Sequence, residues 1–484
     1  MKTFWQFLTA WRSAAPSPHS AGPRPSLQVN DVHSQLNLTA VDSKVRPTSV
    51  DEIQRAIQCA RRDGKAVSIA GARHAMGGQQ FGSGTVLIDM TAMRRVLGFD
   101  RTRGLLEVEA GIEWPELIDY TMRAQEGQAH QWGMVQKQTG ADRLTIGGAL
   151  AANAHGRGLR YKPIIQDVES FVLIDAAGNR LVCDRNTNPE LFSLVIGGYG
   201  LFGVVASMTL RLGPRRKTQR IVQMLDIDRL DSAFAQRIAD GFLYGDFQFS
   251  TERDSERFLQ SGVFSCYRPV SDDTPVSENQ KELRIDDWRQ LLYLAHVDKT
   301  RAFDAYSGHY LSTDGQIYWS DTQQLSVYID DYHRELDRLM GARHRATEMI
   351  TEIYVPRRAI ADLMAEMRDD FRRHRVELVY GSIRLIERDD ESFLAWAREP
   401  WACVVLNLHV EHTPVGLSDS ARAFSRLIDM AIRRRGSYYL TYHHDATRAQ
   451  LEACYPQFPE FLRLKLAYDP DERFQSDWYR HYRK

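Results

Sequence analysis

The stretch Val67-Ser-Ile-Ala-Gly-Ala-Arg-His-Ala-Met-Gly-Gly78 constrains the fold of this chain more than any other. It reads as a short buried strand running into a loop of glycine, alanine, one arginine and one histidine. Small side chains let a backbone come close to a ligand, and glycine reaches positive φ without steric cost. Two later stretches repeat the composition: Gln138 to Gly158, with a single His155, and Gly197-Gly-Tyr-Gly-Leu-Phe-Gly203. Three such loops in the first part of the chain imply one long, flat ligand laid along backbone.

Between these loops the pattern is mixed. Ser49 and Glu52 have capping-box spacing, and Ile53, Ala56, Ile57 and Ala60 form one apolar stripe, so a helix begins near Pro47 and ends at Gly64. Ala66 to Ala70 and Thr85 to Met90 read as strands. Leu106, Val108 and Ala110 alternate with Glu107 and Glu109, which predicts a half-exposed strand. Pro115 opens a helix. Val168 to Asp175, a turn at Ala176 to Asn179, and Arg180 to Cys183 predict a hairpin. A short helix from Pro189 leads to the third loop, and Val204 to Leu212 closes the region as a strand.

From residue 214 the texture changes. Glycine thins out, and strand-like pieces such as Thr347 to Val355 alternate with helices such as Ile360 to Arg373. This predicts a second α+β unit built on an antiparallel sheet. At 484 residues the chain is too long for one core. The expected division is a tail and linker over 1–26, a ligand-binding domain over 27–213, a substrate domain over 214–437, and a C-terminal segment over 438–484. Aromatic and polar concentrations at Tyr306 to Tyr310, Tyr318 to Gln324 and Tyr438 to His444 suit either a substrate site or core and domain contacts. Asn407, His409 and Glu411 share one strand face, as a site wall or as a satisfied polar face.

Composition narrows the function classes. The net charge of −1 gives no global steering toward nucleic acid. Five dispersed cysteines without a Cys-x-x-Cys pair argue against a disulfide framework and structural zinc, and fit a reducing, cytoplasmic setting. No metal ligand set is expected; His409 and His412 would point opposite ways on a strand. The apolar, aromatic Met1 to Trp11 is too short to span a bilayer, although Lys2 and Arg12 beside Trp5, Phe7 and Trp11 suit a peripheral membrane contact. Gly198-x-Gly200-x-x-Gly203 matches the dinucleotide fingerprint literally. That mechanism needs a strand before it and a helix after it. Here a helix precedes and a strand follows, which disfavours a nicotinamide dehydrogenase.

The three loops in this order resemble the FAD-binding domain of the vanillyl-alcohol oxidase family, the PCMH type. Tyr455-Pro-x-Phe458, Phe461-Leu-x-Leu-Lys465, Asp469-Pro470, Phe474 and Ser476-Asp477 resemble the tail of the aldonolactone and alditol oxidases, and of the decaprenylphosphoryl ribose oxidases. Ser382-Ile-Arg-Leu-Ile-Glu-Arg-Asp-Asp390 is similar to the aldonolactone-oxidase strand of pattern Glu-x-Arg followed by paired Asp. The resemblance covers most of the chain and is loosest from 215 to 340.

The resemblance implies FAD held by the loops: Gly71, Ala72, Arg73, His74, Ala75 and Met76 in the first, then Gly140, Ala141, Leu144, Thr145, Gly147, Gly148, Asn153, His155 and Gly156, then Gly203 and Val204. It implies a bond from His74 to the flavin 8α-methyl group, although the following Ser common in the family is Ala75. The stretch before Gly147 holds no Cys for a second tether. The activity implied is oxidation of an alcohol carbon of a small-molecule substrate, with oxygen or another acceptor taking the electrons and Ala154 a candidate for the small residue over the flavin. Arg384 matches the family arginine near flavin and substrate. Ser382 replaces the family Glu, and the lysine of the relatives near residues 438–445 is missing, so Tyr442 and His443 are the expected proton-handling groups. A flavin-like fold that only binds or assembles is the remaining alternative.

Overall fold

The computed structural model describes residues 27–137 and 142–484. The aromatic N-terminus, its linker, Gly140 and Ala141 lie outside the described residues. Among the described residues the chain is a mixed α and β protein with five sheets.

Around the first loop a small parallel sheet forms, in which Val86–Asp89 lies between Ser43–Val45 and Val67–Ala70. The helix Val50–Arg62 caps as its sequence predicts: the Ser49 side chain accepts from Glu52 N, and Ile53, Ala56, Ile57 and Ala60 are buried. A second, antiparallel sheet runs Arg180–Asp184, Val168–Ile174, Val204–Arg211, Leu105–Glu109 and Val96–Asp100. The C-terminal segment returns to the parallel sheet. Val67 N donates to Arg473 O, Gln475 N donates to Val67 O at 2.9 Å, and Ser83 bonds Asp477.

The largest sheet has eight antiparallel strands, in the order Ile317–Trp319, Lys217–Asp226, Ser261–Pro269, Tyr244–Phe249, Leu378–Ile386, Trp401–Glu411, Ala346–Pro356 and Ser437–Tyr438. Its register explains why its two faces differ. Phe247, Ile383, Val404 and Ile353 pair in one row across four strands, and all four are fully buried. Helices Ile360–His374 and Pro414–Arg433 cover this apolar face. One residue along, Gln248, Ser382, Val405 and Glu352 form the next row. Side chains alternate along a strand, so this second row points the other way. Asp246, Arg384 and Tyr354 share that polar face, and it is turned toward the glycine loops: Gly158 bridges Tyr244, and Gly245 N donates to Arg157 O at 2.9 Å. Among the described residues, no helix is long and apolar enough to cross a membrane.

Candidate active site

The three small-residue loops converge on one cleft with an empty volume of about 1200 Å³. Each carries a non-glycine residue in the left-handed region: Arg73 at φ 65°, Asn153 at 47° and Tyr199 at 52°. Such backbone is costly and clusters at functional sites. Gly71, Ala72, Arg73, His74, Ala75, Met76, Leu144, Thr145, Gly147, Gly148 and Gly203 line the cleft, as does Tyr442. The apolar walls are Ile69, Leu150, Val195, Val205 and Ile350.

Other residues from the same motifs sit behind this wall. Asn153 is buried and donates to Asp389 Oδ2 at 2.7 Å, while its carbonyl accepts from Trp396 Nε1 at 3.0 Å. It ties the second loop to the connection between two strands of the large sheet. Gly156 is packed so tightly that a Cβ there would lie 2.5 Å from Lys137 O. Val204 starts a sheet strand opposite Ile174. Ala154 is buried but does not line the cleft, where the small residues are Ala110, Ala151 and Ala152.

His155 points to the polar sheet face, where its Nε2 lies 2.7 Å from Glu352 Oε2. Glu352 is the centre of a buried network: Tyr354 donates to Oε2 at 2.9 Å and Tyr442 donates to Oε1 at 3.0 Å. Burial alone would raise the carboxyl pKa, but His155, Arg384 and the hydrogen bonds outweigh it and hold Glu352 below the usual carboxylate range. Tyr442 thus joins the cleft wall to a buried carboxylate. Arg384 is buried on the same sheet face with its Nε unpartnered. Asp246 Oδ1, Gln248 Oε1 and Ser382 Oγ on that face also lack partners. Buried polar atoms are rarely left so. Beside them, burial brings the Lys137 ammonium down to about 8, opposed by Asp142 at 2.5 Å.

His443 corrects the sequence expectation. It does not line the cleft; it is fully buried on the far side of Tyr442, stacked on Phe424 at 4.2 Å and bonded to Thr351 Oγ1 at 3.1 Å. Burial pulls its pKa down to about 3, so it stays neutral. The two residues follow a turn after strand Ser437–Tyr438, and of the pair it is Tyr442 that lines the cleft.

Sequence reasoning missed His33, Tyr199, Thr441 and Glu352. Glu352 had a signal: Glu348, Ile350, Glu352 and Tyr354 alternate on one face of Ala346–Pro356. His33 had none, because it reaches the first loop from 41 residues away, with Nε2 2.8 Å from His74 Nδ1. The dinucleotide-like Gly198 to Gly203 follows helix Pro189–Val195 and precedes strand Val204–Arg211, the reverse of what a nicotinamide fingerprint requires.

The cleft fits a flavin dinucleotide. It is long, its loops are small-residue backbone, and one flank is apolar enough for a ring system. The fold and the cleft are those expected of a flavin-binding domain. Residues 41–184 match the FAD binding domain family. The chain is 28% identical over 274 residues to cytokinin dehydrogenase 2 of Arabidopsis thaliana, covering 53% of this chain and 51% of that protein. It is 25% identical over 441 residues to L-gulono-1,4-lactone dehydrogenase of Mycobacterium tuberculosis, covering 90% and 94%. With L-gulonolactone oxidase of Mus musculus it shares 28% over 171 residues, 35% and 37%. The match thus spans about half of the plant relative and little more than a third of the mouse one, but nearly all of the mycobacterial one. These relatives are named as oxidases and dehydrogenases, and the part of this chain that carries the likeness to an FAD binding domain is residues 41–184.

Proposed function

We propose that this protein oxidises an alcohol carbon of a sugar, polyol, lactone or related small molecule, with FAD bound along the three loops and joined covalently to His74. Residues 27–213 form the flavin-binding domain, 214–437 the cap that holds substrate, and 438–484 the segment that returns to the flavin domain. The observation that carries this reading is the Tyr442–Glu352 contact of 3.0 Å, which leads from the cleft wall to a buried carboxylate.

When bound, the FAD supplies the hydride-accepting chemistry. The chain's own part is to place the substrate and take its hydroxyl proton. The substrate hydroxyl hands its proton to Tyr442 Oη as Tyr442 passes its own to Glu352 Oε1, and His155 and Tyr354 hold Glu352 in place. The Arg384 guanidinium stabilises negative charge that develops at the reacting oxygen. The unpartnered Asp246, Gln248 and Ser382 atoms give hydrogen-bonding capacity that suits a hydroxyl-rich substrate. The lactone named for the mycobacterial relative supports the same substrate class.

The test is the absorption spectrum of the purified protein, followed by acid precipitation and fluorescence of the pellet. Flavin bands with a fluorescent pellet are expected. A colourless pellet beneath a coloured supernatant would keep the flavin and remove the His74 bond. No flavin after incubation with FAD would overturn the reading in favour of a binding module. Anaerobic mixing with L-gulono-1,4-lactone and with alditols should bleach the flavin bands, and oxygen uptake then separates oxidase from dehydrogenase.

A further inference from the structure

A second cluster of chemistry-bearing side chains lies on the same sheet face, beyond the cleft. Glu348 and His409 are directly opposed on adjacent strands. His296, at the end of helix Ile285–Val297, and His333, on helix Tyr332–Met340, close over them. His296 Nε2 lies 2.8 Å from Glu348 Oε1, His409 Nδ1 lies 3.5 Å from the same oxygen, and His333 Nδ1 lies 2.7 Å from Oε2. The side chains of His296, Glu348 and His333 are 4%, 3% and 6% exposed, and that of His409 is 19% exposed.

The Tyr332 hydroxyl also donates to Glu348 Oε2, and protons alone explain three rings around this one carboxylate poorly. One carboxylate neutralises one imidazolium, not three. His296 Nδ1 lies 2.8 Å from Leu292 O, and a carbonyl only accepts, so Nδ1 carries the proton. In the neutral ring Nε2 then turns a lone pair toward the Glu348 carboxylate. His333 Nδ1 is buried and close to Oε2, yet it is not aligned for a hydrogen bond. A cation at the centre resolves the opposition of lone pairs. It accepts lone pairs from His296, His409 and the carboxylate, and the Leu292 carbonyl holds His296 as backbone carbonyls hold metal-bound imidazoles. Zinc bonds to nitrogen and oxygen of about 2.0–2.2 Å set tetrahedral ligands about 3.3 Å apart. The ligand atoms of His296, Glu348 and His409 all lie within 4.8 Å of one another, and side-chain adjustment closes them onto such an ion.

We propose that His296, His409 and Glu348 form a binding site for one divalent transition-metal ion of the zinc class, which clamps helix Ile285–Val297 onto the sheet, with His333 beside the carboxylate. A set of two imidazoles and one carboxylate suits such an ion and not magnesium or calcium, which take all-oxygen shells. Sequence spacing conceals it, because the three ligands come from three separate elements.

The test titrates chelator-treated full-length protein with zinc chloride by calorimetry, and with cobalt(II) as a visible-absorption probe. Expected are one ion per chain and cobalt bands characteristic of tetrahedral coordination. Glu348→Gln and His296→Ala should each weaken binding at least about 10-fold. His409→Asn, at the most exposed ligand, should weaken binding while the metal-free melting temperature holds, which separates ligand loss from misfolding. His130→Ala, exposed and outside the cluster, should bind as wild type. No stoichiometric binding, or wild-type affinity in Glu348→Gln, would overturn the proposal and leave a protonated ion-pair cluster.

Discussion

His33 Nε2 lies 2.8 Å from His74 Nδ1, and His74 Nε2 lies 3.1 Å from Arg143 O. The carbonyl can only accept, so His74 carries its proton on Nε2 and its Nδ1 lone pair faces His33. Burial holds both rings below the ordinary imidazole pKa, His33 at about 4. His74→Ala should therefore release all flavin from acid-precipitated protein while native protein still binds FAD. His33→Ala should lower the covalently bound fraction, because His74 loses the partner that orients its ring. Counting of bound flavin in pellet and supernatant checks both. A fluorescent pellet from His74→Ala would reassign the tether.

Glu352→Gln keeps the shape of the side chain and removes its capacity to take a proton. The expected outcome is a fall of about 10²–10⁴ in the rate of flavin reduction by substrate, with the apparent substrate affinity little changed. Tyr442→Phe should fall in the same direction, and the double variant should be no slower than the worse single one, since both act on one proton path. Stopped-flow flavin bleaching under anaerobic conditions measures this. Additive losses would mean that Tyr442 and Glu352 act separately.

How much of this was legible beforehand depended on whether a residue's role is local in sequence. Gly71 to Met76 and Thr145 to Gly148 pointed to a chain that can be approached closely, because their residues are small, and they line the cleft. The same argument overreached at Asn153, His155 and Gly156. They share the motif, but their side of the loop faces Asp389, Glu352 and Lys137 instead of the cleft. The alternation along Ala346–Pro356 contained Glu352, yet nothing local says which face of a fully buried strand meets a site; only the pairing with Val405 and Ser382 does. His33 meets His74 through the return of a distant segment, for which sequence has no periodicity to read. Tyr442 and His443 were adjacent candidates, and the local backbone decided between them.

Gly147 tests whether the second loop tolerates a methyl group. A Cβ there would lie 2.8 Å from Ala110 Cβ and 2.9 Å from Ala110 O, and Gly147 N already donates to that carbonyl at 2.8 Å. Gly147→Ala should push the loop into the cleft and cost about 1–3 kcal/mol. Weaker FAD retention on dialysis and a lower melting temperature are expected together. Gly64→Ala is the contrast: its Cβ would meet nothing within 4 Å, so only the strain of its φ of 64° is felt, and FAD retention should not change.

His443 separates a structural histidine from a catalytic one. Its ring fills the space between Phe424 and Tyr438 and bonds Thr351. His443→Ala should cost about 2–4 kcal/mol through the cavity and the orphaned hydroxyl, while the rate of flavin reduction per folded molecule stays near wild type. Its pH signature has a definite sign. The folded pKa of about 3 lies below the ordinary 6.5, so the ring contributes stability that is fully present above pH 6.5 and is lost as pH falls toward 3. The nearby Asp445, whose pKa burial raises, acts in the opposite sense, but it is present in both proteins and drops out of their difference. Denaturant melts of wild type and His443→Ala should therefore differ most near neutral pH and converge on acidification. A reduction rate lowered 100-fold in the folded variant would return His443 to the catalytic path and displace Tyr442–Glu352 from it.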